Sequence, residues 1–162
     1  MRPLLPRTLR PDMRALLPDD ARNYAGPGLA WWATIVVLIP ITVRSLIHLL
    51  AADGGAESIA TIDTSVAGGA NIVAVFGQWG AIQLLLALLL WILLLRYTGL
   101  TPLVLLVLTL EPILRGVAGQ LKPIETMGTA PGAAANWLVL PVLAVLLWVS
   151  LCPARPRSPS LS

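Results

Sequence analysis

Cysteine, histidine and lysine each occur once in these 162 residues, as Cys152, His48 and Lys122. A lone thiol closes no internal disulfide, so cysteine usage leaves the redox compartment open. One histidine and one cysteine also exclude a bis-histidine haem, a thiolate-held cluster and an ordinary zinc site. No glycine-rich phosphate loop and no nucleophile constellation is present, so the sequence assigns no catalytic residue, metal or cofactor. The chain is not read as an enzyme. Charge is scarce as well: 12% of residues are charged, about half the share in an ordinary soluble domain. The space is taken by apolar residues, 57% of the total, and this balance marks an integral membrane protein.

The apolar residues fall into four runs. A helix needs about 20 mainly apolar residues to cross some 30 Å of hydrocarbon, which predicts spans over 28–50, 73–95, 100–118 and 137–152. The Gly26-Pro27-Gly28 triplet separates the first span from a proline-containing segment, 1–27. The segment 153–162 is polar, proline-containing and expected to be disordered. The fold class is therefore all-α, one membrane domain forming a four-helix bundle. Trp31, Trp32, Tyr97, Trp137 and Trp148 lie near span ends, where amphipathic rings favour the headgroup level; Trp79 and Trp91 lie deeper, as packing residues.

Positive charge gives the direction of insertion. Arg2, Arg7, Arg10, Arg14 and Arg22 precede the first span, Arg96 follows the second, and Arg155 and Arg157 follow the fourth. The loop over 51–72 has acids but no Lys or Arg, and the loop over 117–136 has only Lys122 against Glu125. Both termini are thus expected in the cytoplasm and both loops outside. Membrane lipids are the expected partners, with a second membrane protein or a homo-oligomer beside them. No aromatic-interleaved basic surface points to nucleic acid. A signal-peptide reading of the first run fails on the length of its leader and on Arg44 and His48 within it. Prolines 3, 6, 11 and 18 forbid one long helix in the leader, while Leu4, Leu5, Leu9, Met13, Leu16 and Leu17 are able to dip into the interface.

Three spans carry strongly polar residues at similar depth. At 1.5 Å per residue, Arg44 lies about 24 Å from the inner edge, Gln83 about 20 Å and Glu111 about 18 Å. His48, Gln78 and Arg115 form a second layer about one turn further out. Spacing of i, i+4 sets Arg44 with His48, and Glu111 with Arg115, on single helix faces. Gln78 and Gln83 are about 140° apart around their helix, so at most one points into a shared centre. Glu111 has two candidate partners, Arg115 on its own helix and Arg44 across the bundle; pairing with one alone leaves the other cation for an anionic ligand. Pro112 deprives the Leu108 carbonyl of its helical donor and favours a kink or hydrated pocket there, and Pro40 acts similarly in the first span. Three readings stay open: arginines that snorkel and anchor helix ends, a structural ion pair, or a site for a ligand, ion or proton, with His48 as a relay.

Asp53, Glu57 and Asp63 do not have the spacing of a calcium loop and read as a solvated acidic loop. Gly77, Gly80 and Ala81 allow a close helix approach, more often within a chain than between chains. The stretch 116–132 reads as a flexible outer loop, a candidate lid or partner contact, with Asn136 capping the fourth span. The number of spans, the short turn between the second and third, Gln78-Trp79-Gly80, and Glu111 with Arg115 together resemble small bacterial four-span proteins of the DoxX-like kind. That resemblance implies an inner-membrane bundle, at times an accessory subunit of a membrane oxidoreductase, and carries over no catalytic residue. The residues themselves favour a polar pocket, facing outward, for a lipid headgroup, a small anion or a docked partner, with Arg44, His48, Gln78, Gln83, Glu111 and Arg115 as its candidates. A proton-coupled transporter using Glu111 and His48 is the alternative.

Overall fold

The structure, a computed structural model, describes residues 3–128 and 131–154, without the side chains of 131–137. Arg2, Arg155, Arg157, the segment beyond 154 and the side chains of Asn136 and Trp137 lie outside the described residues. Four long helices follow in order: α1 (Gly28–Leu50), α2 (Gly69–Arg96), α3 (Thr101–Leu121) and α4 (Pro131–Leu151). Short 3-10 turns occupy Met13–Leu16 and Thr98–Leu100, and the described residues contain no strand.

Among the described residues three helical stretches are long and apolar enough to cross a membrane: α1, α2, and Thr98–Leu121, which contains α3. In α4 the described apolar stretch, Leu138–Leu151, is shorter. Hydropathy underestimates the helices at their polar ends. α2 opens at Gly69 where 73 is expected, because a Gly-Ala-Asn start is polar without forbidding helix. Its 28 residues rise about 42 Å, more than the hydrocarbon needs. α3 runs on to Leu121 and α4 begins at Pro131. Proline suits the first helical turn and the alanines after it are strong helix formers. Asn136 therefore lies inside α4 and does not cap it, and of the stretch expected as a flexible loop over 116–132, residues 116–121 and 131–132 are helical.

Packing pairs α1 with α2 and α3 with α4, with further contacts of α1 to α3 and α4. Where all four meet, Ala30, Leu38, Leu90, Leu94, Val104, Leu105, Leu108 and Leu143 are buried. Tryptophans tie helices by their indole N–H groups: Trp31 Nε1 donates to the Leu94 carbonyl at 3.0 Å, and Trp91 Nε1 to Thr42 Oγ1 at 3.0 Å. The outside is apolar too. Val36, Val43, Ile82, Leu85, Ile92 and Leu114 are at least half exposed, an arrangement that a soluble bundle does not tolerate over such an area and that hydrocarbon does.

Gly80 sets the distance between α1 and α2. A Cβ built there would stand 2.6 Å from Leu49 N and 2.7 Å from the carbonyl carbon of His48, so the small-residue step on α2 serves a contact within this chain.

The segment before α1 forms a strap held by its backbone across one end of the helices. Gly28 and Leu29 N–H donate to the Pro3 and Leu4 carbonyls at 2.8 and 3.2 Å, supplying partners to the otherwise orphaned start of α1. Arg7 and Asp12 N–H donate to Pro153 and Leu151 carbonyls at the end of α4, both at 2.9 Å. Gly99 N–H reaches the Ala21 carbonyl at 2.8 Å, Thr98 Oγ1 the Arg22 carbonyl at 2.8 Å, and the Tyr24 hydroxyl the Ser150 carbonyl at 3.1 Å.

Candidate functional site

Arg44 on α1 and Glu111 and Arg115 on α3 converge in the half of the helices away from the strap. Arg44 Nη2 lies 3.4 Å from Glu111 Oε1; Arg115 Nε donates to the same oxygen at 3.1 Å, and its Nη2 lies 3.4 Å from Glu111 Oε2. The carboxylate is thus shared between two guanidinium groups, and the alternative in which it serves only one is not what forms. Side-chain exposures of 26% for Arg44, 29% for Arg115 and 32% for Glu111 keep the group neither sealed nor free. Two guanidinium groups thus flank one carboxylate, and in a poor dielectric such charges interact strongly.

Beside the triad is a cavity of ≈ 30 Å³, lined by Arg44, Gln83 and Glu111 and otherwise by apolar side chains including Leu108. Arg44 Nε and Gln83 Oε1 are buried without a hydrogen-bond partner among the described atoms. One is a donor and the other an acceptor. The volume admits a water or two and no headgroup, so an anion would meet the guanidinium groups from their exposed side.

The remaining candidates divide. Gln83 faces the cavity, whereas Gln78 is exposed on α2. His48 is buried, and its Nδ1 lies 2.8 Å from the Gly54 carbonyl; since a carbonyl only accepts, Nδ1 carries the proton in this contact. Its ring packs on Trp79 and the edge of Phe76, with centroids 4.9 and 5.5 Å away. His48 lies outside the cavity lining and fastens the loop after α1. Trp79 is the residue that sequence reasoning left as mere packing: it stacks on His48, and the Arg44 guanidinium carbon lies 6.0 Å from its ring centroid, at the limit of a cation–π contact. No run of residues signals this. Gly54 and Gly55, both at positive φ, were the available hint, because a Cβ on Gly55 would stand 2.8 Å from His48 Nδ1.

The acidic loop is organised by its first acid. Asp53 accepts from Ser58 N–H at 2.8 Å and Gly55 N–H at 2.9 Å, and these bonds, Ser58 first, hold its carboxyl down to about 2. The unfolded chain therefore binds the proton more readily. The stabilisation is present above the ordinary aspartate range, near 4, and is lost as pH falls through about 2. Amide hydrogen exchange over 53–60 is expected to accelerate across that window, and Asp53→Asn to remove the pH dependence; an unchanged profile in the variant would contradict the assignment. The loop is joined to the one after α3, since Met127 N–H donates to the Thr61 carbonyl at 2.8 Å and Thr61 Oγ1 to the Gly128 carbonyl at 2.9 Å.

Among the described residues no group of three or more His, Cys, Asp or Glu is placed to hold a metal ion. Helices long and apolar enough to span, an apolar exterior and a charged cluster within the spanning segments define a helical membrane protein. No family model matches the chain, and neither a curated protein nor a solved structure does.

Proposed function

We propose that this chain is a non-enzymatic membrane protein that holds an anionic group, a phospholipid phosphate or a free small anion, against Arg44 and Arg115. The sharing of one carboxylate by two guanidinium groups carries this reading. Glu111 holds both guanidinium groups at one place, and the part-exposed side chains of Arg44 and Arg115 are where an oxyanion finds charge-assisted donors. The arginine bias supports a site toward the outer leaflet, with both termini inside and α4 as the fourth span; a bacterial inner membrane is what the DoxX-like resemblance implies. A DoxX-like kinship, resting on the span pattern and Gln78-Trp79-Gly80, belongs to the same proposal. Proton exchange between Glu111 and His48 draws no support from the geometry, because the His48 Nδ1–H is committed to Gly54.

The test is thermal unfolding in uncharged detergent with phosphatidylglycerol, phosphatidylcholine or inorganic phosphate added. At a hundredfold excess over Kd, the anionic lipid is expected to raise Tm by about 5–10 °C, phosphatidylcholine by little, and Arg44→Gln to lose the difference. An equal effect of inorganic phosphate would identify a free anion as the ligand. Equal stabilisation by the two lipids, with no response to phosphate, or an undiminished shift in Arg44→Gln, would reject the site.

A further inference from the structure

The strap across the ends of the helices presents a surface that the triad does not explain. Leu4, Leu5, Leu9, Met13 and Leu17 are 61–73% exposed, and Arg7, Arg10 and Arg14 are exposed among them. In a free peptide such leucines would turn inward or cluster. Here the backbone is fixed at Pro3, Leu4, Arg7 and Asp12 by hydrogen bonds to the start of α1 and the end of α4, and the side chains stay exposed. One acid, Asp12, lies within this segment, and Asp19 and Asp20 follow it. Asp12 accepts from Arg14 N–H, and Asp20 is engaged with Arg22 N–H and the Asn23 amide, further along toward the turn between α2 and α3.

The geometry points to an interfacial collar: residues 4–17 lie in the anionic headgroup layer of the membrane that the helices cross, with leucines dipped into the acyl boundary and arginines on lipid phosphates. Two independent features select this occupant. The exposed leucines belong to a segment bonded to the start of α1 and the end of α4, the level at which the surface of a membrane crossed by those helices lies. Their interleaved charges are all positive over 4–11, complementing the phosphates of an anionic leaflet, and near such a surface each arginine favours the bound state about fivefold. The inference is independent of anion binding at Arg44 and Arg115, which lie toward the opposite ends of the helices.

A nitrobenzoxadiazole label on Leu9→Cys, a 72% exposed position, tests it in the full chain reconstituted into vesicles. Cys152 is fully buried, and the parent chain is the control for stray labelling. In phosphatidylcholine containing phosphatidylglycerol, the label is expected to be quenched by nitroxide carried on shallow acyl positions and protected from aqueous iodide. A label on Asn23→Cys, beside the acidic turn, is expected to show the reverse. Replacing Arg7, Arg10 and Arg14 together by Gln should lower the lipid quenching several-fold, with the Arg44 site untouched. Met13→Cys is the second position should Leu9→Cys fail to fold. Iodide access without lipid quenching at both positions would overturn the collar. Equal quenching in pure phosphatidylcholine, unchanged by loss of the arginines, would overturn its preference for anionic lipid.

Discussion

Glu111→Gln is expected to destabilise the protein by about 2 kcal/mol and to be the most damaging polar substitution in the spanning helices. The carboxylate is the shared partner of Arg44 and Arg115, and its loss leaves two like charges facing a neutral amide. Removing one member of a fully buried pair costs about 3–5 kcal/mol. Side-chain exposures of 26–32% and the reach of arginine toward the interface reduce that figure. The double variant Glu111→Gln/Arg115→Gln should recover about half of the loss, because only one uncompensated cation then remains, so the two substitutions are not additive. Reversible unfolding in mixed micelles measures both. Equal stability of wild type and Glu111→Gln would mean that the arginines are solvated separately and that the triad is incidental.

Gly80→Leu is expected to separate α1 from α2. A Cβ at this position meets backbone atoms of His48 and Leu49, which cannot swing aside as a side chain would. Even Gly80→Ala should cost about 1–3 kcal/mol, the usual range for overpacking, and Leu considerably more. The effect should be visible at a distance in the loop, because the segment of α1 that moves carries His48, whose Nδ1–H holds the Gly54 carbonyl. As the sole histidine, His48 gives one imidazole signal by nitrogen-15 NMR. Its protonated Nδ1 is expected to be protected from exchange in the wild type and exposed in Gly80→Leu. A protected, unshifted signal in Gly80→Leu would show that α2 tolerates the side chain and that Gly80 does not set the spacing.

Counting residues was enough to see the helices and the depth of Arg44, Gln83 and Glu111, since helical rise is constant and these three line one cavity. It gave less at helix ends. Gly69–Asn71 and Pro131–Asn136 are helical because a first turn tolerates glycine, asparagine and proline, a tolerance to which hydropathy is blind. Azimuth was half legible: the angle between Gln78 and Gln83 said that one would point away without saying which. Spacing puts His48 on the Arg44 face, but its hydrogen bond goes to a loop with two glycines at positive φ beyond the helix end, which spacing does not reveal. The strap was not legible at all. It is held by backbone hydrogen bonds to the start of α1, the turn between α2 and α3 and the end of α4, and such bonds leave no trace in side-chain pattern.

Native mass spectrometry of the detergent-extracted protein with its co-purifying lipids, wild type beside Arg44→Gln, tests the central claim most directly. The account predicts an anionic lipid or small anion retained by the wild type and lost from a folded Arg44→Gln. A bare chain in both, or the same lipids in both, would contradict it and leave Arg44, Glu111 and Arg115 as a structural clamp between α1 and α3.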